Sequence, residues 1–358
     1  MLGWTTKIKA NSLLWICLGC LPSPLLFAES APLASGPHDP LFASHEPLSL
    51  TLRGPFEALD KKRDKTADYA AGTLTFEGPD GVVSIDTQYH PRGNFRLQKE
   101  NCRHAQLWVD LKKKHTSDTL FANQNKLKLV VQCRDSKRYE GYLRKEFQAY
   151  RMLNQLTPAS HRVRWVNVTY ENLEGEVLRT QSAFFIEHKK RLANRLGLNT
   201  VEDQRISKNE LDPHQATLAS LFNYFIGNAD YSLVMSTEGS CCHNAKLFQA
   251  EENTPFVPVI YDFDSSGYVN PPYAITPEKL KLRSVKQRVY RGFCTEPEIF
   301  ESVLALFQAE RETLLALAGE TAFVGKSMSR KGVSYLEDFY DVIDSPKKVE
   351  RKLLEACR

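Results

Sequence analysis

Beyond residue 28 the chain has no apolar run long enough to cross a bilayer as a helix, which excludes an integral membrane span there. Neither sign of charge dominates. The 47 Lys and Arg against 43 Asp and Glu leave a formal +4, so nothing argues for a nucleic-acid partner, and Lys112-Lys113-Lys114 reads as solvated surface. There is no internal repeat and no low-complexity tract, which excludes a solenoid. No Ser-His-Asp or Cys-His signature supports acyl transfer; Cys242 and His243 are neighbours in sequence, which does not make them a dyad. What remains is ordinary for a globular chain. Its 358 residues, 42% hydrophobic and 25% charged, suffice for one large two-lobed domain or two smaller ones.

Residues 1–28 read as a secretory signal. Lys7 and Lys9 supply the basic region, Leu13 to Leu21 a short apolar core, and Leu26-Phe27-Ala28 a small-residue cleavage site. Lipid attachment at Cys20 is an alternative, as is an uncleaved anchor. The expected location is therefore periplasmic or secreted. Six cysteines follow the signal: Cys102, Cys133, Cys241, Cys242, Cys294 and Cys357. An even number in an oxidising compartment permits disulfides but leaves the pairing open, and free buried thiols are the other reading. The adjacent Cys241-Cys242-His243 suits a strained loop better than a tetrahedral zinc site.

Residues 29–47, rich in Pro, Ala and Ser, read as a linker. From 48 to 187 the pattern is chiefly β. Leu48 to Leu52 alternates, Asp80-Gly81 marks a turn before Val82 to Thr87, and strands are expected at Leu107 to Leu111, Leu127 to Val131, Arg164 to Tyr170 and Ser182 to Ile186. Within this part Leu143, Phe147, Tyr150 and Leu153 recur at helical spacing, up to Thr157-Pro158. Residues 188–358 read as mainly helical. One helix starts at the N-cap Asp212 with Pro213 behind it and stops at Gly227-Asn228; Thr295 and Glu298 suggest a capping box, and Ser345-Pro346 opens the last helix.

Several polar residues fall in the order that phosphoryl transfer uses. Asp230 follows a helix stop, where a rigid element would hold it to orient and deprotonate a hydroxyl. Asn244 follows on a loop. Asp262 ends the apolar strand Val257 to Tyr261, and Asp264 lies two residues on, before Ser265-Ser266-Gly267. Oxygen ligands of this kind suit Mg²⁺ or Mn²⁺ on the phosphates of ATP, with Asp264 either a second ligand or a turn-former. Lys128, on the polar face of an alternating strand, is placed to meet phosphates, although the same alternation describes a simple wet face. Glu146, beside the apolar stripe of the following helix, is its candidate partner or else a surface residue next to Lys145. Glu187, where a strand gives way to a polar connection, marks a hinge whose backbone could face an adenine, or merely a strand end.

These residues resemble the spore-coat kinase CotH group and, more distantly, HipA-like atypical kinases, by way of exported bacterial proteins related to them. The resembling stretches are Pro91 to Arg96, Lys126 to Val131, Glu146 to Arg151, Phe225 to Asp230, Tyr261 to Gly267 and Arg288 to Cys294. The resemblance implies an α+β, two-lobed, protein-kinase-like fold with a β-rich N-terminal lobe and a helix-rich C-terminal lobe. It also implies Lys128 and Glu146 as the phosphate-binding pair, Asp230 as base, Asn244 and Asp262 as metal ligands, and transfer from ATP to protein. Gly93 is the nearest substitute for a Gly-rich phosphate loop, and Asn244 follows Asp230 by 14 positions. The expectation is a metal-dependent, ATP-using phosphotransferase acting on an envelope or secreted protein. The alternatives are an inactive envelope binding protein of that fold and a metal-dependent phosphoester hydrolase built on Asp230, Asp262 and Asp264.

Overall fold

Alternation of apolar and polar residues builds seven strands whose apolar sides turn inward on one another. In the computed structural model they are β1 (Leu48–Arg53), β2 (Ala70–Gly78), β3 (Gly81–Arg92), β4 (Gln106–Leu111), β5 (Lys126–Val131), β6 (Val163–Glu171) and β7 (Val177–Ile186). The structure describes residues 39–202, 205–234 and 241–358; the expected signal segment and residues 29–38 of the expected linker lie outside them. Leu41 and Phe42, also in that linker stretch, are buried against the barrel interior.

The strands close into a barrel in the order β1-β2-β3-β4-β5-β7-β6. Neighbours pair antiparallel except at the seam, where β1 runs parallel to β6 with Leu50 opposite Val168 and Leu52 opposite Tyr170. Closure pairs both sides of β1 and leaves no free sheet edge. This corrects the expected architecture. A closed barrel is not the β-rich lobe of a two-lobed, protein-kinase-like fold, and what overturns that expectation is the pairing of β1 with a strand more than a hundred residues further on. Inside, Leu52, Leu74, Ile85, Val109, Leu127 and Phe185 are fully buried, and the helix α1 (Phe56–Lys62) contributes Phe56, which packs on Tyr89 and Tyr170.

The second core is helical and begins inside the barrel sequence. α2 (Lys137–Leu156) starts at Ser136, whose hydroxyl accepts from the Tyr139 N–H, and ends at Thr157 before Pro158. Its buried face joins Phe147, Tyr150 and Leu153 to Trp165 and Phe184 and to residues of the later helices. α3 (Lys189–Leu196) and the short β8 (Asn199–Thr200) follow. α4 (Pro213–Ile226) begins as expected, with the Asp212 carboxylate 2.7 Å from the Gln215 N–H, and ends at Gly227 with φ +65°. β9 (Ala245–Gln249) and β10 (Val257–Ile260) pair with β8 in the order β10-β9-β8. Last come α5 (Pro297–Ala309), α6 (Arg311–Ala318), α7 (Thr321–Val324), α8 (Lys326–Ile343) and α9 (Pro346–Val349), which runs into a π-helical turn. The expected Thr295/Glu298 capping box does not form. Glu296 is the N-cap of α5, and the Thr295 hydroxyl turns to the Glu296 carboxylate instead.

All six described cysteines are paired: Cys102 with Cys133, Cys241 with its neighbour Cys242, and Cys294 with Cys357. The last ties the C-terminus to the segment before α5, where the Arg358 N–H also donates to the Gly292 carbonyl at 3.0 Å. It spans 63 positions. Replacing Cys294 and Cys357 together by Ala is expected to lower unfolding free energy by about 2–4 kcal/mol, mainly by freeing the unfolded chain. A urea titration of the variant checks this.

Candidate functional site

Six segments converge on one cleft of about 620 Å³. β3 and the turn after it bring Arg92, Gly93 and Arg96; β5 brings Lys128; α2 brings Glu146 and Tyr150; the loop after α4 brings Asp230; the approach to β9 brings His243 and Asn244; the segment after β10 brings Asp262 and Asp264. Of the residues singled out in the sequence, all but Glu187 line this cleft.

Lys128 sits where the alternation put it, outside the barrel, while Leu127, Leu129 and Val131 fill the interior. That outer face is not simply wet. The ammonium lies 4.7 Å from the Tyr261 ring centroid and 5.8 Å from that of Trp108. Burial, reinforced by Arg92, pulls Lys128 down to about 8, against the pull of Asp262. Arg92 has a buried Nε without a hydrogen-bond partner. Burial and Arg96 lower it to about 10.

The expected Lys128–Glu146 ion pair does not form. Glu146 is nearly inaccessible and pairs with Arg96, whose Nη2 stands 2.7 Å from its Oε2 and 2.6 Å from Oδ2 of Asp264. The Arg96 Nε also donates to Asp264 at 2.9 Å. Burial opposes the charge on Arg96, but Asp264 and Glu146 hold its guanidinium firmly protonated. Burial pushes the Glu146 carboxyl up, with Arg96 opposing and Asp264 and Asp262 adding to the rise.

Asp262 and Asp264 take different paths. Asp262 has φ +66°, and its N–H donates to the Tyr150 hydroxyl at 2.9 Å. Its carboxylate has no ion-pair or hydrogen-bond partner among the described residues. It is surrounded by protein yet open to the cleft, and this surrounding, together with Asp264, raises it above the usual carboxylate range. Phe263, fully buried, anchors the turn between the two.

Asp230 and Asn244 meet despite their separation. Ser232 and His243 exchange backbone hydrogen bonds of 2.9 and 3.0 Å, which brings these two positions side by side. Asn244, at φ +52°, donates its amide to the Asp230 carbonyl at 2.7 Å and to Oδ2 at 3.2 Å. His243 Nε2 stands 2.8 Å from Asp230 Oδ1, and that hydrogen bond raises the imidazole above its ordinary value. The Asp230 side chain remains 40% exposed, so a hydroxyl from solution can reach it. Gly227 fixes this loop. Its φ of +65° suits glycine, and a Cβ there would strike the Tyr335 hydroxyl.

Glu187 belongs elsewhere. Its carboxylate is held by Arg195 at 2.9 and 3.0 Å and accepts the Arg162 N–H. Its own N–H donates to the Arg162 carbonyl, and its carbonyl pairs with His161 Nδ1. Both backbone groups are thus already hydrogen-bonded within the protein, and Glu187 does not line the cleft.

Arg92, Arg96 and His243, to which the sequence pattern assigns no role, also line the cleft. The arginines lay in the stretch Pro91 to Arg96, four apart around Gly93-Asn94, which was the available signal. His243 carried none, because its partner Asp230 is distant in the chain.

Among the described residues no three His, Cys, Asp or Glu side chains gather about one point as a metal cage. Asp262, with the Asn244 amide near by, fits a hard cation such as Mg²⁺ or Mn²⁺ that takes most of its ligands from phosphates and water. Asp264, consumed by Arg96, does not contribute freely.

Replacing Arg96 by Met leaves two buried carboxylates without their cation. The expected loss of stability is about 3–5 kcal/mol near pH 7. Glu146, raised by burial, binds a proton in the folded state before the unfolded chain does, so the deficit shrinks as pH falls. Urea midpoints of variant and parent, compared at about pH 7 and about pH 5, check both sign and size. A deficit independent of pH would contradict this account of the cluster.

No family model matches this chain, and no curated protein matches it.

Proposed function

We propose that the cleft transfers a phosphoryl group from metal-bound ATP to a hydroxyl of an acceptor protein. The observation that carries this reading is the set of unpaired charges at the cleft floor. Among the described residues the Lys128 ammonium has ring contacts but no hydrogen bond or ion pair, the Arg92 guanidinium lies over Trp108 with its Nε unpartnered, and the Asp262 carboxylate has neither kind of partner. Lys128 and Arg92 are half-buried and Asp262 is exposed to the cleft, so two cations and a carboxylate that do not neutralise one another by direct pairing suit a ligand carrying both signs. A metal–triphosphate is such a ligand.

In this reading Asp262 and the Asn244 side chain hold Mg²⁺ or Mn²⁺, and Arg92 and Lys128 bind phosphate oxygens. A cation bound there would supply charge neutralisation on the transferring group. Gly93, at φ +92°, turns the chain at the cleft rim with nothing near its missing Cβ, which leaves room beside the backbone for phosphate. Asp230, oriented by His243 and Asn244, accepts the proton of the acceptor hydroxyl as its oxygen bonds to the γ-phosphorus and the bond from that phosphorus to the bridging oxygen breaks, releasing ADP. None of this depends on a kinase-like architecture, since such catalysis is mostly positioning and electrostatics. An envelope or secreted acceptor follows only if residues 1–28 act as an export signal.

The test is calorimetric titration of the protein with ATP in Mn²⁺, together with transfer assays. Asp262→Ala is expected to abolish metal-dependent ATP binding. Asp230→Ala is expected to keep binding and lose transfer by about 10²–10⁴-fold. Undiminished transfer in Asp230→Ala would remove its assigned role, and binding without any turnover in the parent protein would favour a binding protein over an enzyme.

A pH dependence follows from Lys128, which ordinarily titrates at 10.5 and is pulled to about 8 here. Its charge is present below that value and lost above it. ATP affinity is therefore expected to fall with rising pH beyond 8, by up to about tenfold per unit. Lys128→Met should bind more weakly and lose this slope, which the same calorimetry reads out.

A further inference from the structure

A second cavity, of about 1110 Å³, lies between α2, the segment Gly267–Asn270 and the start of α8. It is separate from the cleft, although the two share segments: Glu146 lines the cleft and its neighbour Lys145 lines this cavity. Its charge is one-sided. Lys145, Lys286 and Lys331 meet there, Lys137 and Arg138 come from the start of α2, and Lys326 and Arg330 from the first turns of α8. The only acid in the lining is Asp338, and none of these cations forms an ion pair among the described residues.

Lys145 separates this cavity from an ordinary basic surface. It is only 7% exposed. Its ammonium donates to the Tyr268 carbonyl and lies 4.3 Å from the Tyr268 ring centroid, with no carboxylate to offset it. Burial, with Lys286 and Lys331 adding repulsion, pulls it down to about 7. α8 adds to the imbalance. It begins at Gly325 without a side-chain cap, so the positive end of an 18-residue helix opens where Lys326 to Met328 line the cavity.

We propose that this cavity binds a small anion carrying several phosphate groups, held by Lys145, Lys286 and Lys331 against the N-terminus of α8. The volume admits a multiply substituted ligand rather than a single ion. A concave pocket, on a chain with no basic stripe, suits a compact polyanion better than a nucleic-acid duplex. Lysines gather there as point charges that bind phosphate without the bidentate geometry of arginine. The ligand is either a soluble polyphosphate compound or a phosphorylated lipid headgroup, since both present the same chemistry. The proposal does not rest on the function assigned to the cleft.

The test is titration of the full chain with inorganic tripolyphosphate in EDTA, which suppresses metal-dependent binding at the cleft, and sedimentation with phosphatidic acid vesicles in phosphatidylcholine. Lys286→Glu/Lys331→Glu is expected to weaken binding by about tenfold or more, while Lys128→Met leaves it near the parent value. Capture by vesicles that the double variant loses would assign a lipid headgroup; binding of tripolyphosphate alone would assign a soluble compound. Unchanged binding in the double variant, loss confined to Lys128→Met, or no binding of either probe by the parent would overturn the proposal. Melting curves accompany each variant, and Lys286→Gln/Lys331→Gln replaces the charge reversal should that fail to fold.

Discussion

The buried guanidinium of Arg96 joins three parts of the molecule that have no other reason to share a charge. It sits just beyond β3 of the barrel, pairs with Glu146 of α2, and pairs again with Asp264 after β10. One cation serves two carboxylates, and burial pushes the Glu146 carboxyl toward its protonated form, which eases the imbalance. That arrangement is tolerable only because each contact is short and doubled where it can be. Its geometric effect exceeds its energetic one. By fixing the chain after β3 against α2 and the Asp262 segment, it sets the width of the cleft and keeps two of the cleft's acids from reaching into it.

The barrel supplies the rigid wall for this arrangement. Closure through β1 and β6 holds β5 and β7 in register, with Lys128 opposite Ile186. Lys128 is thus carried on a strand hydrogen-bonded on both sides, and its polar face is covered by Tyr261 rather than left to water. The opposite wall is less regular. Asn244 and Asp262 both take positive φ, a conformation uncommon outside glycine. Asx residues accept it best, and it turns each side chain out of its strand's plane toward the cleft.

Much of the local structure was legible because it depends on near neighbours. The Asp212-Pro213 start and Gly227 stop of α4, and the alternation of β5, are decided by capping and periodicity within a few residues. The gathering of Lys128, Asp230, Asn244 and Asp262 in one cleft was also anticipated, from their order along the chain. What escaped was whatever depends on distant partners. The parallel seam of β1 with β6 makes a closed barrel where a β-rich kinase-like lobe was expected, and no local pattern in Leu48–Leu52 announces it. Arg96 meets Glu146 across 50 positions and Asp264 across 168, so the partner of Glu146 could not be told from Lys128 by spacing. Glu187 lies outside the cleft, held by Arg195 and Arg162, which are 8 and 25 positions away.

The fate of the two carboxylates in Asp262-Phe263-Asp264 bears directly on chemistry. Phe263 is buried between Tyr150 and Phe222, which drives its flanking residues to different surroundings. Asp264 is drawn into the Arg96 cluster, and Asp262 faces the cleft without a direct ion-pair partner among the described residues. Two-metal hydrolysis needs carboxylates free to bridge or flank both ions. Here one of the pair is already committed to a guanidinium, and Asp230 is engaged by His243 and Asn244. A single cation that borrows its remaining ligands from phosphates asks for only one free carboxylate. The side chains around Asp262 therefore favour transfer from a phosphate chain that brings its own oxygens over hydrolysis at a protein-built pair of metals.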